Sequence, residues 1–174
     1  SDLPYFVATC NAGSSGAITL ESGSLLQVSF GSFVSTPGGD PAKFVLFDSP
    51  SITFGDSDSI KSGIVSSIPF LFTGDVCGYG IAGFVDTHVS ACTDTPSHEQ
   101  LVVNLQPKTA EDLGLSGYAK QIFPYANQAL ANDNKLGAEI IAAGTGITAG
   151  QTDIGNALYQ NLYSQFAPDV SGGG

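Results

Sequence analysis

Through about residue 106 the apolar positions fall in short runs, each broken by Gly, Pro, Ser or Asp. Runs of this kind read as strands: "YFVATC" (5–10), "AITLES" (17–22), "LLQVSFGSFV" (25–34), "KFVLFD" (43–48), "SITF" (51–54), "IVSSIPFLF" (64–72), "YGIAGFVDTHV" (79–89) and "QLVVNL" (100–105). In "AITLES", Ile18 and Leu20 share one face while Thr19 and Glu21 share the other, as the two-residue period of a strand requires. The breaks carry turn chemistry: "TPGGDP" at 36–41, "GDSDS" at 55–59, "TGD" at 73–75 and "TDTPS" at 93–97. Eight short strands at this spacing predict an antiparallel sandwich, with a short β-solenoid as the other architecture. No strict repeat of solenoid length is present, which favours the sandwich.

After Pro107 the period changes. Thr109 is placed to cap a short helix, with Glu111 and Asp112 in its first turn, where the helix dipole favours acids. Tyr118, Ile122, Tyr125 with Ala126, and Ala129 with Leu130 follow helical spacing, and Pro124 inside that run predicts a kink or a fresh start. A second stretch, 132–143, puts Leu136 and Ile140 on one face. In the last, Ile154, Leu158, Leu162 and Phe166 recur every four residues until Pro168, and the stripe reads as core packing. The expected fold is α+β: a β-rich body over 1–106, a helical subdomain over 107–168 and a flexible Ser/Gly tail over 169–174.

Composition supports a packed core, with 42% hydrophobic residues in 174, and only 12% of residues are charged against about 25% in a typical soluble protein. No apolar run reaches the roughly 18 residues of a membrane-spanning helix. The net charge is −11, and all five cations are lysines: Lys43, Lys61, Lys108, Lys120 and Lys135. Such a surface repels phosphate backbones and anionic membranes, so nucleic acid is excluded as a partner. The chain opens on "SDLPYFVATC" without Met or a leader, which fits a removed leader or a fragment. Low charge with abundant Gly, Ser and Thr suggests an extracellular β-rich protein.

Three cysteines are present. Cys77 and Cys92 are the preferred disulfide pair, and a loop of about 15 residues is worth about 3 kcal/mol in the chain-entropy model. Cys10 is then unpaired or available for an intermolecular bridge. In a reducing compartment all three would be small core residues.

The stretch "LVVNLQPKTAEDLGLSGYAKQIFPYANQALANDNKLGAEI" (101–140), with "ALYQNLYSQFAPDVSGGG" (157–174), resembles the end of the secreted passenger region of bacterial autotransporters, particularly of alphaproteobacterial type. In that family a strand leads into a Lys-Thr-Ala-x-Glu/Asp-Leu-Gly-Leu block, matched by Lys108 to Leu115. Helices follow, and then an alanine- and tyrosine-containing segment with a Ser-Gly spacer. The resemblance covers roughly residues 99–174. It implies export by a Gram-negative bacterium, with the outer membrane as the route and display or release as the outcome. It assigns no catalytic role to any residue. No barrel sequence follows Gly174, which fits a processed and released passenger and equally a trimmed chain.

Phe54-Gly55-Asp56-Ser57 resembles the nucleophile block of the GDSL esterases, and a secreted esterase would use Ser57 with His88 or His98. Both histidines precede Asn132, the nearest counterpart of that family's oxyanion asparagine, which reverses the family order. "DTHV" and "DTPSH" also have the wrong Asp-to-His spacing. The stretch therefore reads as a strand end with a turn at Gly55, Asp56 and Asp58.

Cys77, His88, Cys92 and His98 contain zinc-type ligands but not in close pairs, and the thiols have a competing use as a disulfide. Asp56, Asp58 and Asp75 lack calcium-loop spacing. Nothing pairs Glu21 with Glu99 as a glycosidase requires, and "AGTGITAG" (143–150) lies between helices as a linker. No catalytic, cofactor-binding or metal residue is assigned, and no cofactor is expected.

The expected function is a non-catalytic exported protein, extracellular or at the cell surface. It would act by adhesion to a host or neighbouring-cell surface, or by self-assembly into fibres or matrix. Leu3, Tyr5, Phe6 and Val7 form the candidate assembly segment, inserted as a strand into a neighbour. A carbohydrate-binding module is the other alternative; Trp is absent, although six Tyr offer stacking faces.

Overall fold

A computed structural model describes residues 16–30 and 39–167. Their order is β1 (Ile18–Leu20), β2 (Ala42–Ser49), β3 (Ile52–Phe54), α1 (Ser57–Ser67), β4 (Phe72–Tyr79), β5 (Glu99–Pro107), α2 (Gly117–Ala131), α3 (Asn134–Ala142) and α4 (Thr152–Ser164). The arrangement is α+β, with strands first and a helical group last. By its internal contacts the chain divides into two compact units. Among described residues the first takes 16–30, 41–68 and 74–106, and the second takes 39–40, 69–73 and 107–167.

In the first unit a three-stranded sheet runs in the order β2-β5-β4. β2 and β5 are antiparallel, with Ala42 opposite Leu105 and Ser49 opposite Glu99, and an irregularity between Val45 and Phe47. β5 is central, and its consecutive Leu101, Val102 and Val103 are all buried, as in a strand covered on both faces. β1 and β3 form a separate two-stranded parallel pair. Phe30 packs on Phe44, and Phe54 lies between Phe47 and Phe84 with centroids 6.2–6.3 Å away.

Among the described residues the strands form a three-stranded sheet and a parallel pair, not two antiparallel sheets, and α1 shows why. The last three residues of the "GDSDS" turn and the first four of the "IVSSIPFLF" strand lie in one helix, and Phe72, the last of that run, opens β4. Asp56 caps it, accepting from the Ser59 amide at 3.1 Å and the Ser59 hydroxyl at 2.7 Å, and Asp58 adds charge to the first turn. Ile60 and Ile64, four apart, go into the core. The helix stops because Ile68 precedes Pro69, which disfavours helical backbone; Ile68 is extended at φ −68°, ψ 126°. Gly63 is required where it stands, since a Cβ there would run into the Leu26 carbonyl oxygen. "YGIAGFVDTHV" is likewise no strand beyond Tyr79; Gly80 and Gly83, both at positive φ, turn the chain into a loop. "YFVATC" lies outside the described residues.

In the second unit α2 packs against both α3 and α4. The Lys108–Leu115 block forms one capped turn: the Asp112 amide donates to Thr109 Oγ1 and the Thr109 amide to Asp112 Oδ2, each at 3.0 Å. Those bonds hold the Asp112 carboxyl below its ordinary range. The turn buries Ala110, Leu113 and Leu115 and leaves through Gly114 at φ +63°. α2 runs through Pro124 without ending.

Ala126, Leu130 and Ile140 are buried as expected, while the rest of the buried stripes lie one position from the expected ones. α2 buries Ala119, Phe123, Ala126, Asn127 and Leu130, leaving Tyr125 exposed. α3 buries Gly137, Ile140 and Ile141. α4 buries Gly155, Tyr159 and Tyr163, whereas Ile154 is exposed. Phe70 stacks on Tyr159 and occupies the space a side chain at Gly155 would need.

Candidate functional site

Among the described strands β4 is a sheet edge, and edges are where one chain can pair with another unless covered. Two amides of β4, those of Val76 and Gly78, bond to the loop that follows the strand. The Val76 amide donates to Thr87 Oγ1 at 2.9 Å, and the Gly78 amide donates to Asp86 Oδ1 at 2.8 Å. The Thr87 amide returns a bond to the Val76 carbonyl at 3.2 Å. Residues 86 and 87 thus stand in for a fourth strand, using two side chains where a ladder would use backbone.

A disulfide between Cys77 and Cys92, with Cα atoms 5.6 Å apart, closes the loop that carries them. It is the pair the spacing suggested. Cys77 is buried with Tyr79 and Val102, and Val45 and Cys92 pack against them. Phe84 lies against Gly78, and Lys61 donates to the Val85 carbonyl at 2.9 Å. Beyond these anchors little of the loop is packed: Val85 and Val89 are 64% and 71% exposed. A disulfide fits an oxidising compartment, and no described helix is long and apolar enough to cross a membrane.

Ser57 is the first residue of α1, beside the Asp56 cap; its place is helical, not the turn expected for it. The Ser59 bonds hold the Asp56 carboxyl below its ordinary range, so the acid of "GDS" serves the helix. His98 Nδ1 meets Asp48 Oδ1 at 3.0 Å, and Gln100 donates to the other oxygen of Asp48. His88 lies between Asp75, 3.7 Å from Nδ1, and the Ser90 hydroxyl, 3.1 Å from Nε2. The order Asp75, His88, Ser90 repeats that of a hydrolase relay, which the sequence reading did not single out. The acid contact is longer than a hydrogen bond, and the His88 side chain is 68% exposed on open surface with no wall to exclude water. It is a polar surface chain. Neither histidine has Ser57 as a described hydrogen-bond partner.

Of the four zinc-type residues, two are joined as the disulfide. No group of three His, Cys, Asp or Glu placed to hold a metal ion occurs among the described residues. Tyr79, Tyr159 and Tyr163 are buried, which leaves Tyr118 and Tyr125 of the described tyrosines to offer faces to a sugar. Cys10, Leu3, Tyr5, Phe6 and Val7 lie outside the described residues. Comparison with family models, curated proteins and solved structures finds no match.

Proposed function

We propose that this chain is a non-catalytic exported protein that works at or outside the cell surface by self-association or adhesion. The observation that carries this reading is the Cys77–Cys92 bridge, which uses two of the three cysteines. It is consistent with an oxidising environment, and with that pair joined Cys10 is the remaining thiol, which on this reading serves a neighbour. Cys10 follows the apolar Leu3, Tyr5, Phe6 and Val7 in sequence, so strand insertion and a covalent link would reinforce each other. The acidic, arginine-free composition and the C-terminal resemblance to autotransporter passengers support export over a nucleic-acid role.

Electron microscopy and non-reducing electrophoresis of the purified chain test the reading. Filaments or disulfide-linked oligomers are expected, lost on deletion of residues 1–9 and reduced in Cys10→Ser. Polymers unchanged by the deletion would refute strand insertion. Discrete monomers at every concentration would remove self-assembly and leave adhesion, to be pursued with cell-surface and glycan binding.

A further inference from the structure

We infer that the Asp40–Pro41 peptide bond is a self-cleavage site that opens in acid and leaves the chain in two pieces. The sequence holds one Asp-Pro pair, and it is this one. An aspartate carboxyl lies within reach of its own backbone carbonyl carbon, and attack there closes a five-membered ring. Before most residues a competing closure exists, in which the next backbone N–H attacks the side chain to form a cyclic imide. Proline has no N–H, so that route is shut. Its nitrogen is also a tertiary amide nitrogen, more basic than its neighbours and a better leaving group once it holds a proton.

The step balances without a redox partner. The Asp40 side-chain oxygen bonds to the Asp40 carbonyl carbon, and the bond from that carbon to the Pro41 nitrogen breaks. The carboxyl proton goes to that nitrogen. Residue 40 then carries a cyclic anhydride and residue 41 a secondary amine. Water opens the anhydride to two carboxyl groups, so one peptide bond is broken and one water consumed. Because the leaving nitrogen must take a proton, the reaction belongs to acid and stops near neutrality.

The fold favours this aspartate over others. Asp40 and Pro41 are both exposed, just ahead of the first residue of β2, so water reaches the anhydride. No described residue holds the Asp40 carboxyl in a hydrogen bond or ion pair, and Lys43, the nearest cation in sequence, is engaged with Asp94. Asp48, by contrast, is held by His98 and Gln100, Asp56 by Ser59, Asp86 by the Gly78 amide and Asp112 by the Thr109 amide. A carboxyl tied in this way must give up its bond before it can attack.

Cleavage separates 1–40 from 41–174, and the Cys77–Cys92 bridge lies wholly within the larger piece. The smaller piece is still anchored, since β1 pairs with β3 and the buried Phe30 packs on Phe44. It also carries Leu3, Tyr5, Phe6, Val7 and Cys10. On the self-association reading, acid therefore cuts the assembly segment from the body while leaving it seated there. That consequence rests on the proposed function; the cleavage does not.

The test holds the whole chain at about pH 4, near the ordinary aspartate value, and in parallel at neutral pH. Intact-mass spectrometry of each time point reads cleavage. In acid, products 1–40 and 41–174 are expected, with masses that sum to the chain plus one water; at neutral pH neither is expected. Asp40→Ala removes the attacking carboxyl and Pro41→Ala the leaving nitrogen, and each should lose both products. Both positions are exposed, so neither change disturbs the core. Gel filtration of the cleaved parent at neutral pH should show the two pieces together, parting only in denaturant. A chain that stays whole in acid overturns the proposal, as does Asp40→Ala cleaving at the parent's rate. Breakage after Asp48, Asp56 or Asp112 as fast as after Asp40 overturns the selection by the fold. Pieces that part at neutral pH overturn the seating of 1–40. Cleavage in a chain that forms no polymer strikes the self-association reading and leaves the site standing.

Discussion

Tyr163 places its hydroxyl 2.6 Å from Asn127 Oδ1, and Tyr159 donates to the Ile140 carbonyl at 2.8 Å, all within the second unit. Both tyrosines are fully buried and Asn127 nearly so, so each bond replaces water that cannot reach the site. Tyr163→Phe keeps the ring and removes the donor, stranding an amide oxygen at a cost of about 1–3 kcal/mol. Chemical denaturation should show a lower midpoint with an unchanged slope, partly recovered when Asn127→Leu is added. No loss in the single variant would mean that the amide is satisfied some other way. Gly155→Ala tests the neighbouring packing: a Cβ there would enter the Phe70 ring, which is stacked on Tyr159 and has little room to yield. Overpacking of this kind costs about 1–3 kcal/mol. Gly150→Ala, whose Cβ would meet nothing nearer than 3.9 Å, should be close to neutral by the same assay. At Ser57 the expectation is chemical. Ester hydrolysis by the purified chain should stay at the buffer rate, and activity that vanishes in Ser57→Ala would overturn the non-catalytic reading.

α1 marks where the sequence pattern was most misleading. Its residues "SDSIKSGIVSS" include five serines and a glycine, a composition that suggests a loop, and its β-branched Ile60, Ile64 and Val65 suggest a strand. What decides for helix is a cap at one end and a proline beyond the other, with Ile60 and Ile64 four apart between them. The Asp-x-x-Ser cap was legible at 56–59 and was read as a turn. The stripes of α2 and α4 show a different difficulty. α4 carries two parallel rows at four-residue spacing, Ile154-Leu158-Leu162 and Gly155-Tyr159-Tyr163, and hydropathy alone favours the aliphatic row. The tyrosine row is the buried one because its hydroxyls find buried acceptors and Gly155 leaves a flat place for Phe70. The disulfide pair and the strands β1, β2, β3 and β5 were legible because each rests on short-range chemistry; the Thr109 cap was legible too, but it closes a turn rather than the short helix expected there. The β4 edge and its cover were not, since nothing in "FVDTH" shows that Asp86 and Thr87 will face the amides of β4. The cap of α1 makes a prediction with a sign. Because the folded state depresses the Asp56 pKa, its contribution is present at neutral pH and is lost as pH falls through and below the ordinary carboxylate range. Asp56→Ala should therefore raise amide exchange at Ser59 and Ile60 at neutral pH. The difference from the parent should vanish in acid, and a difference independent of pH would show that the cap acts without its charge.

For the molecule as a whole, the two units should differ in stability at alkaline pH. Burial pushes both Tyr159 and Tyr163 well above the ordinary phenol value, and for Tyr163 the neighbouring Tyr159 adds to it. Tyr79 in the first unit is also raised, by burial and then by the nearby Asp94 carboxylate. Unfolded, each phenol ionises at about pH 10. Above that value the unfolded chain sheds protons that the folded chain keeps. Stability is therefore complete below about pH 10 and falls as pH rises further toward the folded values. The second unit holds two such residues at its centre and should lose its structure first, which hydrogen exchange of α2 and α4 against β5 can follow. A growing negative charge on an already acidic chain acts in the same direction, so a control is needed to tell the two apart. The double variant Tyr159→Phe with Tyr163→Phe removes the phenols and keeps nearly all of the surface charge. Its stability should be lower at neutral pH and change much less between pH 9 and pH 11. If it declines as steeply as the parent, general charge repulsion rather than the buried tyrosines limits the fold in alkali.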